Sequence, residues 1–564
     1  MKKIIIVIGL LVIHFILGLN TIKNLSPTYD EPLHLTSGYS YLKTGKYYLN
    51  IYDHPPLAEM FSAIPLLFYS PKLETQHPSW EKYEQYVFAD WFLYRNRVSA
   101  EKMLNSGRLM ILICSSLLGF MVYRWAKELY GVIPGLFALA LYVFSPDMLA
   151  HGTLVTTDLM LTGFYFLTIY TFWHWMNQSS RKNAVLAGIC CGLALCTKFS
   201  AIVLFGILGL ILVLSFITKK IRVSNGKLFL HFTIFVVVLI LVISVVYQFS
   251  SQGLYFEGLK RTLIRLGGGR SSFLLGQYST TGWKHYFLTT FLVKTPIPLV
   301  IFTLIAFLVI IYNKKWNSDE MLFLLIPAGI YFLLASFSKT QIGHRHILIA
   351  YPFLIVLASG VLRPVTLILS EAKWKGLIFL IIPCLLIWYI FTNIKVHPWY
   401  ISYFNEFIGG PQNGYNCLTD SNLDWGQGLK ELGKYLNREK IRYVYLCYFG
   451  TGDPHYYNIK YVPIGFIDNL TIKERTGDSI TVSKDDRIIF AISATNLKST
   501  YYADKQQFIW LEKYKPVKVI AYSILVYDLT DNPEGLKELS KTLNIVGNYE
   551  HMEYVNSKIH QVKS

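Results

Sequence analysis

The sequence predicts a polytopic α-helical membrane protein that ends in a soluble α/β domain. Of its 564 residues, 53% are hydrophobic and only 16% are charged, well below the roughly 25% of charged residues in soluble domains. Long apolar runs dominate residues 1–393, and residues 394–564 have an ordinary soluble composition. We therefore divide the chain into a transmembrane domain, 1–393, and a C-terminal α/β domain, 394–564.

About eleven apolar segments have nearly the 20 residues that a helix needs to cross a bilayer. The first, residues 4–19, follows two lysines and is not followed by a small-residue cleavage site. We therefore expect a retained anchor helix rather than a signal peptide. The other predicted spans are residues 109–123, 132–150, 158–176, 184–197, 200–217, 228–248, 286–312, 321–337, 346–362 and 376–392.

The distribution of charge predicts the orientation of these spans. The net charge is +18, and basic residues cluster between apolar runs at 2–3, 124–127, 181–182, 219–227, 314–315 and 363–375. With the N-terminus in the cytoplasm, all these clusters are cytoplasmic, as the positive-inside rule requires. The long first loop, residues 21–107, and the C-terminal domain then lie outside the cytoplasm. We predict a multi-pass protein of the cell membrane that does not bind nucleic acid, since no soluble segment interleaves basic and aromatic residues.

The C-terminal domain is predicted from an alternation of elements. Residues 426–437 have helical spacing, 441–448 and 487–493 read as strands, 504–514 as a helix and 517–527 as a strand. Two of the seven cysteines, Cys417 and Cys447, fall in this domain, and the sequence leaves open whether they pair.

Two adjacent carboxylates, Asp30 and Glu31, follow the first predicted span. Because Pro32 is tolerated in a first helical turn, Asp30 also fits a plain helix N-cap. Asp53 and His54 are followed by two prolines, Pro55-Pro56, which give a rigid entry to the next helix. A turn without function explains that pattern equally well.

Further ionisable residues are predicted on the same outer face. Asp158 opens a predicted span, where a charge is costly unless it faces water or a partner. Lys198 marks an outer turn, where it either extends to the interface or meets a phosphate. The other outward-facing cations and histidines are Arg270, Lys294, Arg345 and His346. Cations of this kind can hold a phosphate head group, and a carboxylate can take the proton of a sugar acceptor.

These residues resemble the bacterial family-39-like, C-type glycosyltransferases, which use polyprenyl-phosphate sugars. Protein O-mannosyltransferases and the lipid A aminoarabinose transferase are relatives of that family. Besides Asp30-Glu31, the Pro-Pro-Leu motif at 55–57, Asp158 and Lys198, the resemblance is carried by motifs at 276–283, 294–296, 343–353, 403–406, 420–427 and 492–496. It spans nearly the whole chain. In the aminoarabinose transferase an acid and a lysine precede the Pro-Pro motif, whereas here Asp53 keeps the acid and His54 replaces the lysine.

The resemblance implies a C-type glycosyltransferase fold and an inverting transfer of a hexosyl or pentosyl group from a polyprenyl-phosphate carrier. The acceptor would be a protein hydroxyl, a lipid or a cell-envelope glycan outside the cytoplasm. Asp30 is implied as the catalytic base, with Glu31 beside it, and Asp158 as a residue that helps bind acceptor or sugar. The residues implied in binding the carrier phosphate or substrate are Asp53, His54, Lys198, Arg270, Lys294, Arg345 and His346.

Two other functions remain open from the sequence, a transporter or flippase for a lipid-linked substrate and an oligosaccharide transferase of the same superfamily. A transporter places its ionisable groups near the bilayer midplane, often between two similar halves. Here they gather at one surface, and no second half repeats the first. The sequence has no nucleotide-binding glycine motif and no metal-ligand spacing of cysteines. The sequence therefore identifies no cofactor, and it leaves open whether the protein needs a divalent metal.

Overall fold

The computed structural model describes residues 2–178, 180–218, 225–313, 318–362, 375–465, 478, 480–483 and 485–563. The basic residues at 219–222, 314–315 and 363–373 lie outside the described residues. The chain is mostly helical, as predicted. Its helices before residue 397 are Lys2–Asn24, Glu31–Thr44, Leu57–Tyr69, Pro78–Glu81, Gln85–Tyr94, Ala100–Tyr130, Val132–Val143, Pro146–His151, Asp158–Gln178, Arg181–Leu195, Val203–Ile217, Asn225–Val246, Gln252–Gly268, Tyr286–Lys294, Ile297–Tyr312, Ile326–Ser336, Ala350–Ser359 and Lys375–Val396.

Several of these helices are apolar enough to cross a membrane. Within the described ranges, four helices combine the required length and apolarity, and a bent pair, Tyr286–Lys294 with Ile297–Tyr312, would make a fifth. Shorter apolar helices accompany them at Leu57–Tyr69, Val132–Val143, Met321–Ser336, Ala350–Ser359 and Leu380–Val396. The structure therefore supports a helical membrane protein, and the count of eleven spans stays a prediction.

Two predicted spans are broken helices. The predicted span 132–150 stops at Val143 and restarts at Pro146 after an N-cap at Ser145, whose side chain accepts a hydrogen bond from the Met148 amide. The predicted span 286–312 bends by 116° between two helices. Prolines explain both breaks, because they lack the amide hydrogen that a helix interior needs and favour the first turn of a new helix.

The first loop contains two closely packed helices, Glu31–Thr44 and Leu57–Tyr69. A Cβ at Gly38 would lie 2.0 Å from the backbone oxygen of Glu59, so only glycine permits this helix contact. His34, on the first of these helices, and Asn50, in the connection between them, hydrogen-bond to the buried Glu59 carboxylate, at 2.8 and 2.5 Å. This packing fixes the start of the first loop helix, where Asp30 and Glu31 lie.

The C-terminal part contains a five-stranded mixed sheet. The order across the sheet is Tyr461–Pro463, Val444–Cys447, Ile489–Ser493, Ile524–Asp528 and Lys518–Ile520. The first three strands are parallel, and the last two run antiparallel to their neighbours. The described helices of this part are Leu429–Arg438, Ala494–Leu497, Pro533–Ile545 and Tyr549–Lys563.

The C-terminal part differs from the sequence prediction in two elements. The predicted strand 517–527 is a tight hairpin, because Ala521 and Tyr522 both adopt positive φ values and reverse the chain between two strands. The predicted helix 504–514 is reduced to a 3₁₀ turn at Ile509–Lys513. Cys417 and Cys447 are both buried free thiols.

The C-terminal part is hydrogen-bonded to the segment that leads into the first loop. The Tyr29 amide donates to the Trp425 carbonyl at 2.9 Å, and the Ser26 amide donates to the Gln427 carbonyl at 3.2 Å. The Ser26 hydroxyl adds a bond to the Gly426 carbonyl at 2.9 Å. Residues 420–427 therefore lie beside Asp30, although about 390 positions separate them in the chain.

The location of the C-terminal part outside the cytoplasm can be tested by cysteine labelling. Ser557 is exposed on the helix Tyr549–Lys563. We expect Ser557→Cys to react with a membrane-impermeant maleimide in intact cells or spheroplasts, above the background of the wild type with its native cysteines. Labelling that appears only after lysis would place this part in the cytoplasm.

Candidate functional site

Asp30 lies where the first loop helix begins and does not cap it. No hydrogen bond joins its side chain to the backbone of the helix that follows, which differs from the N-cap interpretation. Instead, Arg345 Nη1 lies 3.2 Å from Asp30 Oδ2. The Asp30 side chain is 23% exposed, so this carboxylate is accessible to a substrate while one of its oxygens is held by a guanidinium group.

Arg345 also connects Asp30 to the second predicted acid. Lys198 Nζ donates to Asp158 Oδ1 at 2.6 Å, and Arg345 Nη1 lies 3.5 Å from Asp158 Oδ2. The side chain of Asp158 is only 2% exposed. Four residues from four chain regions thus form one cluster, with two carboxylates and two cations. The structure thus brings together Asp30, Asp158, Lys198 and Arg345, four of the charged residues that the sequence predicted on one face.

Several buried polar atoms around this cluster have no hydrogen-bond partner in the described part of the chain. They are His54 Nδ1, Asp158 Oδ2, Arg345 Nε and His346 Nε2. Buried polar groups are almost always hydrogen-bonded in folded proteins. These polar atoms without hydrogen bonds make the cluster a candidate site for a polar ligand or water.

His54 differs from the cation that its position suggested. Burial, followed by the positive charges of His34 and Lys198, lowers the pKa of His54 well below its usual range. His54 is therefore neutral at physiological pH and offers a hydrogen bond to a ligand rather than a charge.

Glu31 has a different role from Asp30. Its carboxylate forms a fully buried ion pair with Arg108, with Nε–Oε1 and Nη2–Oε2 distances of 2.8 and 2.5 Å. The amides of Thr28 and Val155 donate to it as well, at 2.8 and 2.9 Å. The geometry therefore corrects the expectation of a catalytic Glu31, because its side chain is buried and both oxygens are engaged.

Lys294 is also a structural cation, contrary to the expectation that it binds phosphate. Its side chain is buried, and Nζ donates to the carbonyls of Ile401 and Asn422 at 2.8 and 2.6 Å. The ammonium group also lies 4.5 Å from the centre of the Phe404 ring. These contacts engage the ammonium group of Lys294 with the protein itself.

Asp53 forms a close ion pair with Arg265, and Arg261 lies 3.9 Å over the ring of Tyr52. Both arginines belong to the helix Gln252–Gly268. The Asp53 carboxylate is thus engaged by this helix rather than directed at a phosphate, whose negative charge it would repel.

Arg270 follows the same helix and lies over the ring of Tyr501, with its guanidinium carbon 4.9 Å from the ring centre. The Tyr501 hydroxyl makes a close hydrogen bond to the buried Asp420 carboxylate. Arg270 also lies within electrostatic range of Asp30 and Asp420, so it is a third cation beside the cluster.

Three residues of the site had no role assigned from the sequence. Trp425 packs beneath the Arg345 guanidinium group, whose carbon lies 4.2 Å from the ring centre. Tyr501 lies under the Arg270 guanidinium group, and Asp420 accepts the hydrogen bond of the Tyr501 hydroxyl. Asp420 and Trp425 belong to the motif at 420–427, which contributed to the family resemblance. Nothing in the sequence, however, indicates that these residues lie near Asp30.

In the part of the chain that the structure describes, no group of three or more His, Cys, Asp or Glu side chains is arranged to hold a metal ion.

A family model described as dolichyl-phosphate-mannose-protein mannosyltransferase matches residues 91–247. The match confirms, in this segment, the resemblance to glycosyltransferases that the motifs indicated. The segment contains Arg108, Asp158 and Lys198. No curated protein of related sequence is found.

The solved structures that this chain is similar to include those of two proteins. ArnT from Cupriavidus metallidurans in the apo state is 14% identical, with 93% of this chain and 97% of that chain covered and a TM-score of 0.47. The same enzyme bound to undecaprenyl phosphate is 13% identical, with the same coverage and TM-score. The archaeal oligosaccharyltransferase AglB from Archaeoglobus fulgidus, in complex with an inhibitory peptide and a dolichol-phosphate, is 12% identical over 85% of this chain and 61% of that chain, with a TM-score of 0.46.

The structural role of Glu31 predicts a large effect on stability. Arg108→Leu leaves a buried carboxylate without its counter-charge, and we expect a loss of about 3–5 kcal/mol, measured as a lower thermal unfolding temperature in detergent. Arg124→Leu, on the same helix, is the matched control. The Arg124 side chain is 53% exposed in its pair with Glu128, so its loss should cost only about 0–1 kcal/mol. Equal effects of the two substitutions would contradict the assignment.

A second prediction concerns Asp424, which is buried and accepts a hydrogen bond from the Thr495 amide at 3.0 Å. Burial raises the pKa of Asp424 to about 7, from about 3.9 in an unfolded chain. Between these values the unfolded chain releases a proton that the folded protein keeps, so stability should fall as pH rises from about 4 to 7, on the order of 1.4 kcal/mol per pKa unit.

The Asp424→Asn protein should lose that component of the pH dependence and be more stable than wild type at pH 7. Thermal unfolding across this pH range tests it, with the exposed Asp531→Asn as the control. The same slope in the Asp424→Asn and wild-type proteins would refute the raised pKa.

Proposed function

We propose that this protein is an inverting glycosyltransferase that moves one sugar from a polyprenyl-phosphate carrier to an acceptor at the outer surface of the membrane. The observation that carries the proposal is the cluster of Asp30, Arg345, Asp158 and Lys198. It combines one accessible carboxylate with two cations and with unpaired polar atoms of His54 and His346. The family-model match over residues 91–247 supports a glycosyltransferase.

In the proposed reaction, a hydroxyl oxygen of the acceptor attacks the anomeric carbon of the sugar. The bond between that carbon and the phosphate oxygen breaks, and its electron pair leaves with the carrier phosphate. Asp30 takes the hydroxyl proton, as a general base within reach of solvent. Attack opposite the leaving group inverts the configuration at the anomeric carbon.

The negative charge that develops on the phosphate would be stabilised by Lys198 and Arg345, and by Arg270 beside them. Cations placed in advance in a partly desolvated site stabilise a transition state without reorganising during the reaction. Asp158 is tied to both Lys198 and Arg345. In this proposal it orients the two cations, while His54 and His346 offer hydrogen bonds to the phosphate or the sugar.

The carrier, the topology and the domain division form part of the same proposal. A polyprenyl phosphate requires the site to lie at a membrane surface, and the predicted orientation puts that surface outside the cytoplasm. The transmembrane domain 1–393 would bind the lipid, and the part from 394 would cover the outer face. The acceptor would be a protein hydroxyl, a lipid or a cell-envelope glycan.

The role of Asp30 is tested by complementation. Intact-mass analysis of surface glycans and glycoproteins should show a mass difference of one sugar between cells with and without the gene. Wild type and the exposed Asp531→Asn variant should restore the difference. Asp30→Asn should lower the rate of sugar transfer by about 10²–10⁴-fold, the usual cost of losing a general base. At an equal level of membrane-inserted protein, it should therefore fail to restore the mass difference. Full restoration by Asp30→Asn would remove Asp30 from the mechanism.

A further inference from the structure

We infer that residues 420–427 position the two phosphate-binding arginines, Arg345 and Arg270, by holding an aromatic ring beneath each guanidinium group. The inference rests on the proposed function, in which both arginines contact the carrier phosphate. The segment reads Asp420-Ser421-Asn422-Leu423-Asp424-Trp425-Gly426-Gln427. It belongs to the C-terminal part, which would then complete the site rather than form a separate module.

The first ring is that of Trp425, which is buried and lies under Arg345. A guanidinium group that stacks on an aromatic face keeps its N–H groups free in its own plane. Arg345 uses that edge to reach Asp30 and Asp158, and its Nε still has no partner in the described structure. The ring thus orients the cation without using the donors that a phosphate needs.

The second ring is that of Tyr501, which lies under Arg270. Its orientation is set by the hydrogen bond to Asp420, and its other neighbour is Phe449, stacked at a centroid distance of 5.7 Å. Asp420 is itself fixed, since Oδ1 accepts the Ser421 amide at 2.5 Å. One end of the segment therefore controls Arg270, and the other end controls Arg345.

The same segment also fixes the backbone from which Arg345 extends. The His344 amide donates to Asn422 Oδ1 at 2.8 Å, and the Ser421 hydroxyl donates to the Ile342 carbonyl at 2.9 Å. A Cβ at Gly343 would lie 2.1 Å from Ser421 Oγ, so the two segments approach as closely as glycine allows. Arg345 is held both at its backbone and at its guanidinium group.

On its opposite side, the segment binds the chain just before Asp30, through the Tyr29 amide and the Trp425 carbonyl. The proposed base and the proposed phosphate ligands are therefore held by one segment, residues 420–427. Transfer requires the base and the leaving-group site to keep a constant separation, because misplacement by about 1 Å can cost 10²-fold in rate.

Binding of undecaprenyl phosphate, as the probe, to the full-length protein in nanodiscs tests the inference, with native mass spectrometry as the readout. Trp425→Leu removes the ring and keeps an apolar side chain, and we expect affinity to fall on the order of five- to thirtyfold. Trp425→Phe keeps a ring and should fall less. Trp510→Leu is the matched control, because Trp510 is buried in the same part of the chain and stacks on Phe490, at 6.1 Å. It should leave affinity unchanged.

A double-mutant cycle separates positioning from general destabilisation. If Trp425 acts through Arg345, Trp425→Leu should cause no further loss in an Arg345→Ala protein. An unchanged affinity of Arg345→Ala would overturn the proposed phosphate role of Arg345 and the inference with it. Weakened binding by Arg345→Ala together with normal binding by Trp425→Leu, or additive losses in the double variant, would overturn the inference and leave the proposed function standing.

Discussion

The arrangement of the candidate site depends on the buried ion pair between Glu31 and Arg108. Arg108 also donates to the carbonyls of Leu25 and Ser26, at 3.0 and 2.8 Å, and Glu31 accepts the Val155 amide. Asp30 precedes Glu31, and Asp158 follows Val155 by three positions. The pair therefore joins the two chain regions that carry the site's carboxylates. Such a pair is costly to desolvate, and losing one partner is worse, so it acts as a specific constraint on geometry.

Charge balance explains how carboxylates and cations can share so small a volume. Asp158 is nearly inaccessible to water, and an isolated buried carboxylate would be strongly disfavoured. Lys198 and Arg345 compensate it, and Arg345 reaches Asp30 at the same time. The cluster is neutral as a set, with Arg270 as an additional cation beside it. In the proposed function, a phosphate anion would meet donors that these ion pairs already orient.

The contact between the C-terminal part and the first loop changes how the chain is divided. Composition marks a boundary near residue 393, yet residues 420–427 bond to the segment before Asp30 and to residues 342–344. A soluble part that merely covered the membrane region would not need a glycine at position 343 for close approach. The boundary near residue 393 thus separates an apolar from a polar stretch of sequence, whereas the proposed site takes residues from both sides of it.

The sequence by itself determined the helical membrane class, the short motifs and the set of charged residues from which the site is built. Apolar run length and charge placement are local properties, so they can be read without a structure. Tertiary structure alone decided the environment of each residue within that set. Adjacent Asp30 and Glu31 have opposite environments, one accessible and one buried against Arg108. Lys294 donates hydrogen bonds to two carbonyls, and Trp425 lies under Arg345. Burial and pairing depend on residues distant in the chain, and no local pattern encodes which partner each charge will meet.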